Sequence, residues 1–364
     1  MTLRRMLTHA LEGRRKTCRH PGAGRGPVRR DQDYQRLLDT GLRRYDEFLR
    51  LFTIFDTLFV LKAALALFAL FSLSACKPAE SPVGPVYVDA PAQPALQVYR
   101  LAVHPLHNPA RLMQAYQPLA DYLNAQLPGV HIEIEASRDY AEFERKFRAR
   151  SPALILPNPW QSLEAMKVGY SVLAMVGDAE DFKGLFIVRR DSPIERIADL
   201  RGKTMAYPSP TALAACIMPQ WFLHTHGLDV NAQIQNQYVG SQESAIMNAY
   251  LGHSAVGVTW PPPWRAFAKA HPDKAAQLKV IWQTPPLLNN TLMARDDVPP
   301  SLRARIVELL LALPAQPQGR AILDGMETAR FHAAGDADYD AVRRFIERFE
   351  REVRPVETLA RSPQ

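Results

Sequence analysis

Cysteine is scarce in this chain of 364 residues, which contains only Cys18, Cys76 and Cys216. Three scattered thiols cannot build a disulfide framework or a multi-cysteine metal site. Catalytic motifs are missing too, because the sequence has no Gly-x-Ser-x-Gly and no His-Glu-x-x-His pattern. With 47% hydrophobic and 22% charged residues, the composition is that of an ordinary globular chain, and we expect one compact unit or two coupled lobes.

The chain also lacks a basic excess where a folded domain would need one to bind nucleic acid. Its net charge of +7 comes from 44 Lys/Arg and 37 Asp/Glu. Residues 1–75 hold 14 of the basic and 7 of the acidic residues, which leaves 30 of each from residue 76 onward. Because the main part of the chain is neutral on balance, we expect no nucleic-acid partner. Nothing in the sequence indicates a cofactor.

No apolar run is long enough to cross a membrane. The run at 63–73 has 11 residues, whereas a span needs about 20, so it has the length of a signal-peptide core. It ends in Leu73-Ser74-Ala75-Cys76, which resembles the bacterial lipobox. That resemblance implies cleavage before Cys76, a lipid on its thiol and a mature protein held at the periplasmic side of a bacterial membrane. The alternatives are a chance cysteine, or an uncleaved anchor over 48–73, which Asp56 and Lys62 disfavour.

The leader divides into three parts. Residues 1–60 are rich in Arg, Gly and Pro, and we interpret them as a mis-annotated gene start or a disordered extension. Residues 61–75 form the predicted signal peptide. Residues 76–95 form a proline-rich tether, since five prolines lie between 77 and 97.

Short apolar runs alternate with helical patterns from residue 96 onward, which is typical of an α/β fold with mainly parallel sheets. Helical spacing recurs at Leu112, Tyr116, Leu119 and Leu123. The last third, 301–353, has an almost continuous helical pattern with breaks near 314 and 333–336. We predict strands at 98–103, 130–136, 153–156, 172–176, 185–189, 203–207, 234–239, 255–259 and 280–283.

Three segments carry a family resemblance: 191–207, with Asp-Leu-Arg-Gly-Lys; 209–212, with Ser-Pro-Thr-Ala; and 240–252, with Gly-Ser-Gln-Glu. In order and spacing they resemble the phosphonate/phosphate-type substrate-binding lipoproteins of ABC transporters. The resemblance implies a two-lobed type II periplasmic binding protein and no enzymatic activity. It implies crossover strands near 186–190 and 280–284, which would join lobe 1 (96–186 and 284–364) to lobe 2 (187–283). A small oxyanion ligand, permease and ATPase partners and a monomeric state follow from the same resemblance.

The predicted helix start near Thr211 is the main candidate for the ligand site. Free backbone N–H groups at a helix start attract anions, and the hydroxyls of Ser209 and Thr211 would add donors beside Ala212. The alternative is plain helix capping, which is common for Ser and Thr. Pro210 removes one N–H donor, so a simple phosphonate specificity does not follow from this segment alone.

Other candidates lie in loops that follow strands, where open α/β sheets bind ligands. For each of them an ordinary structural role, as a helix cap, a surface histidine or a packed tryptophan, is an open alternative. These further candidates are His104, His107, Asn158, Trp160, Ser241, Gln242, Glu243 and Trp260.

Two other functions remain open on this sequence. The same fold serves as the sensing module of membrane signalling proteins, and enzymes of thiamine-precursor synthesis share it. Neighbouring genes would separate sensing from transport, and a demonstrated turnover would establish an enzyme.

Overall fold

The computed structural model describes residues 96–357, which belong to one compact unit. The predicted extension 1–60, the predicted signal peptide 61–75, the predicted lipidation site Cys76 and the predicted tether up to residue 95 lie outside the described residues. Within the described range, no helix has both the length and the apolar character that a membrane span requires.

Strands and helices alternate along most of this range. The strands are β1 (Gln97–Val103), β2 (Val130–Glu135), β3 (Leu154–Leu156), β4 (Tyr170–Val176), β5 (Leu185–Arg189), β6 (Thr204–Tyr207), β7 (Gln235–Tyr238), β8 (Val256–Thr259), β9 (Leu278–Gln283), β10 (Thr291–Arg295) and β11 (Phe331–Ala333). The helices are α1 (Pro109–Gln126), α2 (Tyr140–Arg148), α3 (Pro159–Met166), α4 (Met218–Thr225), α5 (Gln242–Leu251), α6 (Pro261–Ala270), α7 (Pro272–Ala275), α8 (Pro300–Ala312), α9 (Pro317–Gly325) and α10 (Asp340–Glu352).

Two separate sheets define the two lobes. The sheet of lobe 1 has six strands in the order β11-β4-β10-β3-β1-β2, and that of lobe 2 has five in the order β7-β6-β8-β5-β9. This two-lobed α/β architecture confirms the predicted fold class. The strand β5 begins at Leu185 and lies wholly in the second sheet, so the second sheet starts two residues before the lobe boundary that the sequence suggested.

Both sheets are mixed, whereas the sequence predicted mainly parallel sheets. The strand β1 is parallel to β2 and β3, while β10 and β11 run antiparallel to their neighbours. In lobe 2, β6 is parallel to β7 and β8, and β5 is antiparallel to β8 and β9. The antiparallel strands β5 and β10 each follow a point where the chain passes between lobes. A strand entered in that way does not follow a helical crossover, which is the connection that makes neighbouring strands parallel.

The chain crosses between the lobes at 177–184 and again at 284–290, and these two segments are hydrogen-bonded to each other. The backbone N–H of Thr284 donates to the carbonyl of Gly184 at 2.9 Å, and that of Leu287 donates to Phe182 at 3.0 Å. The hydroxyl of Thr284 also accepts from the N–H of Gly184 at 2.9 Å. The crossing segments therefore flank β5 and β9 rather than coincide with them.

In helix α1, the apolar residues that the sequence pattern placed on one face are the residues that the fold buries. Leu112, Tyr116, Leu119 and Leu123 recur on one face, and all four are buried. Burying such side chains stabilises the fold by about 1.5–3 kcal/mol each. The side chain of Asn108 caps the helix by accepting from the N–H of Arg111 at 3.0 Å.

Two strands lie where the sequence showed no strand pattern. The strand β10 is central in lobe 1, between β4 and β3, and β11 falls beside the predicted break at 333–336. Both are short and pair with β4, which is distant in sequence. Their strand conformation depends on these tertiary contacts more than on local pattern.

Candidate ligand-binding site

Loops that follow β1, β3, β6, β7 and β8 meet where the two lobes face each other, as expected for open α/β sheets. They enclose a small cavity of about 10 Å³. That volume holds about one water molecule. The wall is formed by His104, Tyr140, Asn158, Phe182, Ala212, Leu213, Ala214, Ala215, Gln242, Trp260 and Asn290.

A helix start provides the backbone donors of this cavity. The helix begins as a π-helical turn at Leu213–Ile217, with Ala212 as its N-cap, and continues directly into α4. The start is thus two residues later than the sequence predicted. The N–H groups of Leu213, Ala214 and Ala215 make no hydrogen bond with another described residue. Because helix starts carry a partial positive charge, these three N–H groups at the wall form a donor set for an anion.

Tyr140 adds a hydroxyl donor from the other lobe. The hydroxyl of Thr259 donates to Gln242 Oε1 at 2.8 Å, and Gln242 Nε2 then donates to the hydroxyl oxygen of Tyr140 at 3.0 Å. Burial raises the pKa of Tyr140 well above its usual value, so the hydroxyl keeps its proton. Because Tyr140 accepts in this series of hydrogen bonds, its own hydroxyl hydrogen is free to donate to a molecule in the cavity.

His104 offers an acceptor, whereas the sequence suggested a donor. Its Nδ1 lies 2.9 Å from the carbonyl oxygen of Leu156, which can only accept, so Nδ1 carries the proton. Burial lowers the pKa of His104 to about 4, and the ring is therefore neutral near pH 7. A neutral ring protonated on Nδ1 has an unprotonated Nε2, and no described residue donates to that atom.

Asn290 completes the polar part of the wall. It is 3% exposed, and its Oδ1 is buried without a hydrogen-bond partner among the described residues. Its amide can turn about the Cβ–Cγ bond, so it can offer a ligand either a donor or an acceptor.

Thr211 and Ser209 lie behind the cavity wall and bond to the protein. The hydroxyl of Thr211 donates across the lobe junction to Glu144 Oε1 at 2.6 Å. Since that hydroxyl has one hydrogen, Ser209 is the donor in its 2.9 Å contact with Thr211 Oγ1. Asn158 Nδ2 donates to the carbonyl of Thr211 at 3.1 Å. Their predicted role as direct ligand donors stays a prediction.

Glu144 is a fully buried carboxylate on α2. Besides Thr211, it accepts from Gln161 Nε2 at 3.0 Å and faces a guanidinium nitrogen of Arg148 at 3.6 Å. Buried charges are tolerated only with such partners. Glu144 therefore holds together a polar junction that spans both lobes.

His107 and Glu243 are not at this cavity but line a separate groove between α1 and α6, with Arg111 and His271. Glu243 accepts from Asn108 Nδ2 at 3.3 Å and lies 3.5 Å from His271 Nε2. Burial, with Arg111 and then His104 as smaller causes, lowers the pKa of His107 to about 4.

The remaining predicted residues make structural contacts in this fold, and their predicted ligand roles stay predictions. Ser241 is the N-cap of α5 and accepts from the N–H of Ser244 at 3.1 Å. Trp160 is a buried core residue at the start of α3. Trp260 is at the cavity wall, where its ring meets that of Phe182 edge to face at 5.4 Å between centroids.

Sequence reasoning missed the contributions of α2, which supplies Tyr140 and Glu144. Asp139 caps this helix by accepting from the N–H of Glu142 at 2.8 Å, so a helix start was readable at this point. Nothing local, however, distinguishes a buried Glu144 from an exposed helical glutamate. Across the described residues, no cluster of three or more His, Cys, Asp or Glu side chains is placed to hold a metal ion.

The described residues form two α/β lobes with a small cavity between them, and a helix start and a hydroxyl group face this cavity, which is the architecture of a two-lobed binding protein. Two solved structures share this fold. A binding protein component of an ABC phosphonate transporter from Pseudomonas aeruginosa superposes with a TM-score of 0.65 at 18% identity, covering 71% of this chain and 88% of that one. PhnD1 from Prochlorococcus marinus (MIT 9301), in complex with methylphosphonate, superposes with a TM-score of 0.64 at 19% identity, covering 70% and 98%.

The sequence itself matches one family. A sequence model described as "ABC transporter, phosphonate, periplasmic substrate-binding protein" matches residues 101–339, and the chain belongs to this family. The phosphonates-binding periplasmic protein of Escherichia coli (strain K12) is 20% identical over 223 residues, which are 59% of this chain and 66% of that relative. These relatives are substrate-binding proteins of transporters and not enzymes, which confirms the predicted family and class.

Proposed function

We propose that this protein captures a small phosphonate-type oxyanion between its lobes and presents it to the permease and ATPase subunits of an ABC importer. The observation that supports this most is the free donor set at the cavity: the N–H groups of Leu213, Ala214 and Ala215 together with the hydroxyl of Tyr140. Membership of the phosphonate-binding family agrees with it.

Among the described residues, no lysine or arginine lines the cavity. The oxyanion would therefore be held by oriented dipoles, which bind anions well once water is excluded. Phe182, Leu213 and Trp260 supply the apolar part of the wall. That surface suits the short alkyl group of an alkylphosphonate, whose burial contributes about 25 cal/mol per Å².

Ligand entry requires the lobes to separate, because the cavity holds only about one water molecule. Separation breaks the contacts of Thr211 with Glu144 and Asn158 and the bond from Gln242 to Tyr140. The paired crossing segments 177–184 and 284–290 are the natural hinge. A ligand then shifts the balance toward a closed form whose cavity is wide enough to hold it, by its higher affinity for that form.

Calorimetric titration with methylphosphonate, ethylphosphonate, phosphate, sulfate and methanesulfonate tests the proposal. We expect one phosphonate bound per chain, and Tyr140→Phe to weaken binding about 10- to 100-fold, because the lost hydroxyl donates to a charged group. Tyr116→Phe is the matched control, since Tyr116 is equally buried but lies on α1 away from the cavity. Absence of binding to every oxyanion would refute the proposal.

We also propose that the mature protein begins at Cys76 and is lipid-anchored on the periplasmic side of a bacterial membrane. The lipobox-like sequence Leu73-Ser74-Ala75-Cys76 supports this. Cells grown with an alkyne-tagged fatty acid should label the wild-type protein and the Cys18→Ala variant, but not Cys76→Ala. Label retained in Cys76→Ala would contradict lipidation at this thiol.

A further inference from the structure

The cavity wall offers more hydrogen-bond donors than acceptors. Donors prevail: the three N–H groups of 213–215 and the Tyr140 hydroxyl all present hydrogens. The amide of Asn290 can turn and so fits either kind of ligand group. One acceptor has a fixed role, His104 Nε2, because Nδ1 of that ring is committed to the carbonyl of Leu156. No described residue donates to that Nε2 atom. A molecule that fills all of these hydrogen bonds must accept several and donate one.

We propose that the site selects oxyanions that carry an acidic proton, with His104 as the residue that determines this specificity. The proposal rests on the proposed function and names the ligand class more closely. A phosphonate monoanion has two bare oxygens for the donors and one P–OH group for His104 Nε2. A sulfonate has three bare oxygens and no proton, so one of them would face the lone pair of Nε2. Phosphonates and phosphate are therefore favoured over sulfonates and sulfate.

The surroundings of His104 keep the ring from supplying the proton itself. His104 is 2% exposed, and this burial disfavours its charged form. The ionisable side chains packed nearby do not favour the charged form of His104. His107 and Arg111 are basic groups close to the same loop. Tyr140, whose ring centroid is 6.1 Å from that of His104, stays protonated.

Beyond Tyr140, the charged and titratable groups are already engaged. Glu144 bonds Thr211 and Gln161 and faces Arg148, and Cys216 is fully buried. Burial raises the pKa of Cys216 to about 11, so its thiol is neutral. The proton between His104 and the oxyanion must therefore come with the ligand or be taken from solvent as the ligand binds.

Proton uptake on binding is the direct test, and it needs no variant. Methylphosphonate is titrated calorimetrically above its own second pKa, in buffers of different ionisation enthalpy. We expect close to one proton taken up per ligand bound. Methanesulfonate, the matched ligand of the same shape, should bind about 10- to 100-fold more weakly at neutral pH, because it leaves a buried acceptor unpaired. Equal affinities together with no proton uptake would overturn the inference.

His104→Gln assigns the effect to the residue, since an amide can donate as well as accept. We expect this variant to bind methanesulfonate nearly as well as methylphosphonate and to lose the proton uptake. His107→Gln, which changes a buried histidine of the same loop outside the cavity, should keep both properties. Full discrimination and uptake retained in His104→Gln would overturn the role of His104. If neither ligand binds the wild-type protein, the proposed function itself fails, and that result is distinct from equal binding of both.

Discussion

Replacing Thr211 by valine removes one hydroxyl group and keeps the shape of the side chain. In the structure this hydroxyl donates to Glu144 Oε1 at 2.6 Å across the lobe junction. Both side chains are fully buried, so water cannot replace the lost bond. We therefore expect Thr211→Val to lower the free energy of unfolding before any ligand is added.

The magnitude follows from the partners that remain. A hydrogen bond to a charged group contributes about 1.5–3 kcal/mol. Glu144 keeps its bond from Gln161 at 3.0 Å and its ion pair with Arg148 at 3.6 Å, so it is not left alone. We expect a loss in the lower half of that range, about 1.5–2 kcal/mol.

Urea unfolding at pH 7.5, followed by tryptophan fluorescence, measures this loss. Thr225→Val is the matched control, because Thr225 is exposed and its hydroxyl contacts only nearby groups at the end of its own helix. These are the carbonyls of Trp221 and Phe222 and, at 3.5 Å, His226 Nδ1. Exposed changes of this kind stay within about 0.5 kcal/mol. A cycle with Glu144→Gln then isolates the pairwise energy.

A different outcome would refute the interlobe role of Thr211. If Thr211→Val keeps the wild-type urea midpoint but weakens methylphosphonate binding, the hydroxyl acts on the ligand. The direct ligand role inferred from the sequence would then be correct.

Three further results are expected. Gly257→Ala in β8 should destabilise the protein by about 1–3 kcal/mol, because the added Cβ would overlap a backbone carbonyl of α5, whereas Gly325→Ala has open space around it; thermal unfolding of both variants checks this. Stability should fall as pH drops from about 6.5 to 4, since burial holds the pKa values of His104 and His107 near 4 in the folded protein. The unfolded chain binds those protons at higher pH, so the free energy of unfolding should fall by about 3 kcal/mol per histidine at pH 4. A constant urea midpoint over this range would contradict the prediction. Ser241→Ala should cost about 1 kcal/mol through loss of the α5 cap and leave methylphosphonate affinity unchanged, whereas a clear loss of affinity would indicate ligand contact.

The local sequence pattern was sufficient to predict the buried face of a helix and the positions of most strands. The buried face of α1 follows from the spacing of Leu112, Tyr116, Leu119 and Leu123. The nine predicted strands all exist, with ends that differ by at most two residues. The short strands β10 and β11 and the antiparallel pairings were not predictable, because they depend on which segments the chain brings together across the lobes.

The candidate site was likewise predictable only in part. Loops at the carboxyl ends of strands pointed to His104, Asn158, Gln242 and Trp260, and the predicted helix start near Thr211 pointed to Ala212. The structure brings these five residues to one cavity. Their hydrogen-bonding roles depend on partners far along the chain. The carbonyl of Leu156 determines the tautomer of one of them, and a glutamate 67 residues away takes the hydroxyl expected for a ligand. No pattern within one segment contains such pairings.

A crystal structure of the protein with methylphosphonate bound is the most direct test of the central claim. We expect the phosphonate oxygens within about 3 Å of the N–H groups of 213–215 and of the Tyr140 hydroxyl, with one oxygen at His104 Nε2. The lobe junction around Glu144 should be closed over the ligand. A phosphonate located instead in the groove between α1 and α6, beside Arg111, would contradict the claim.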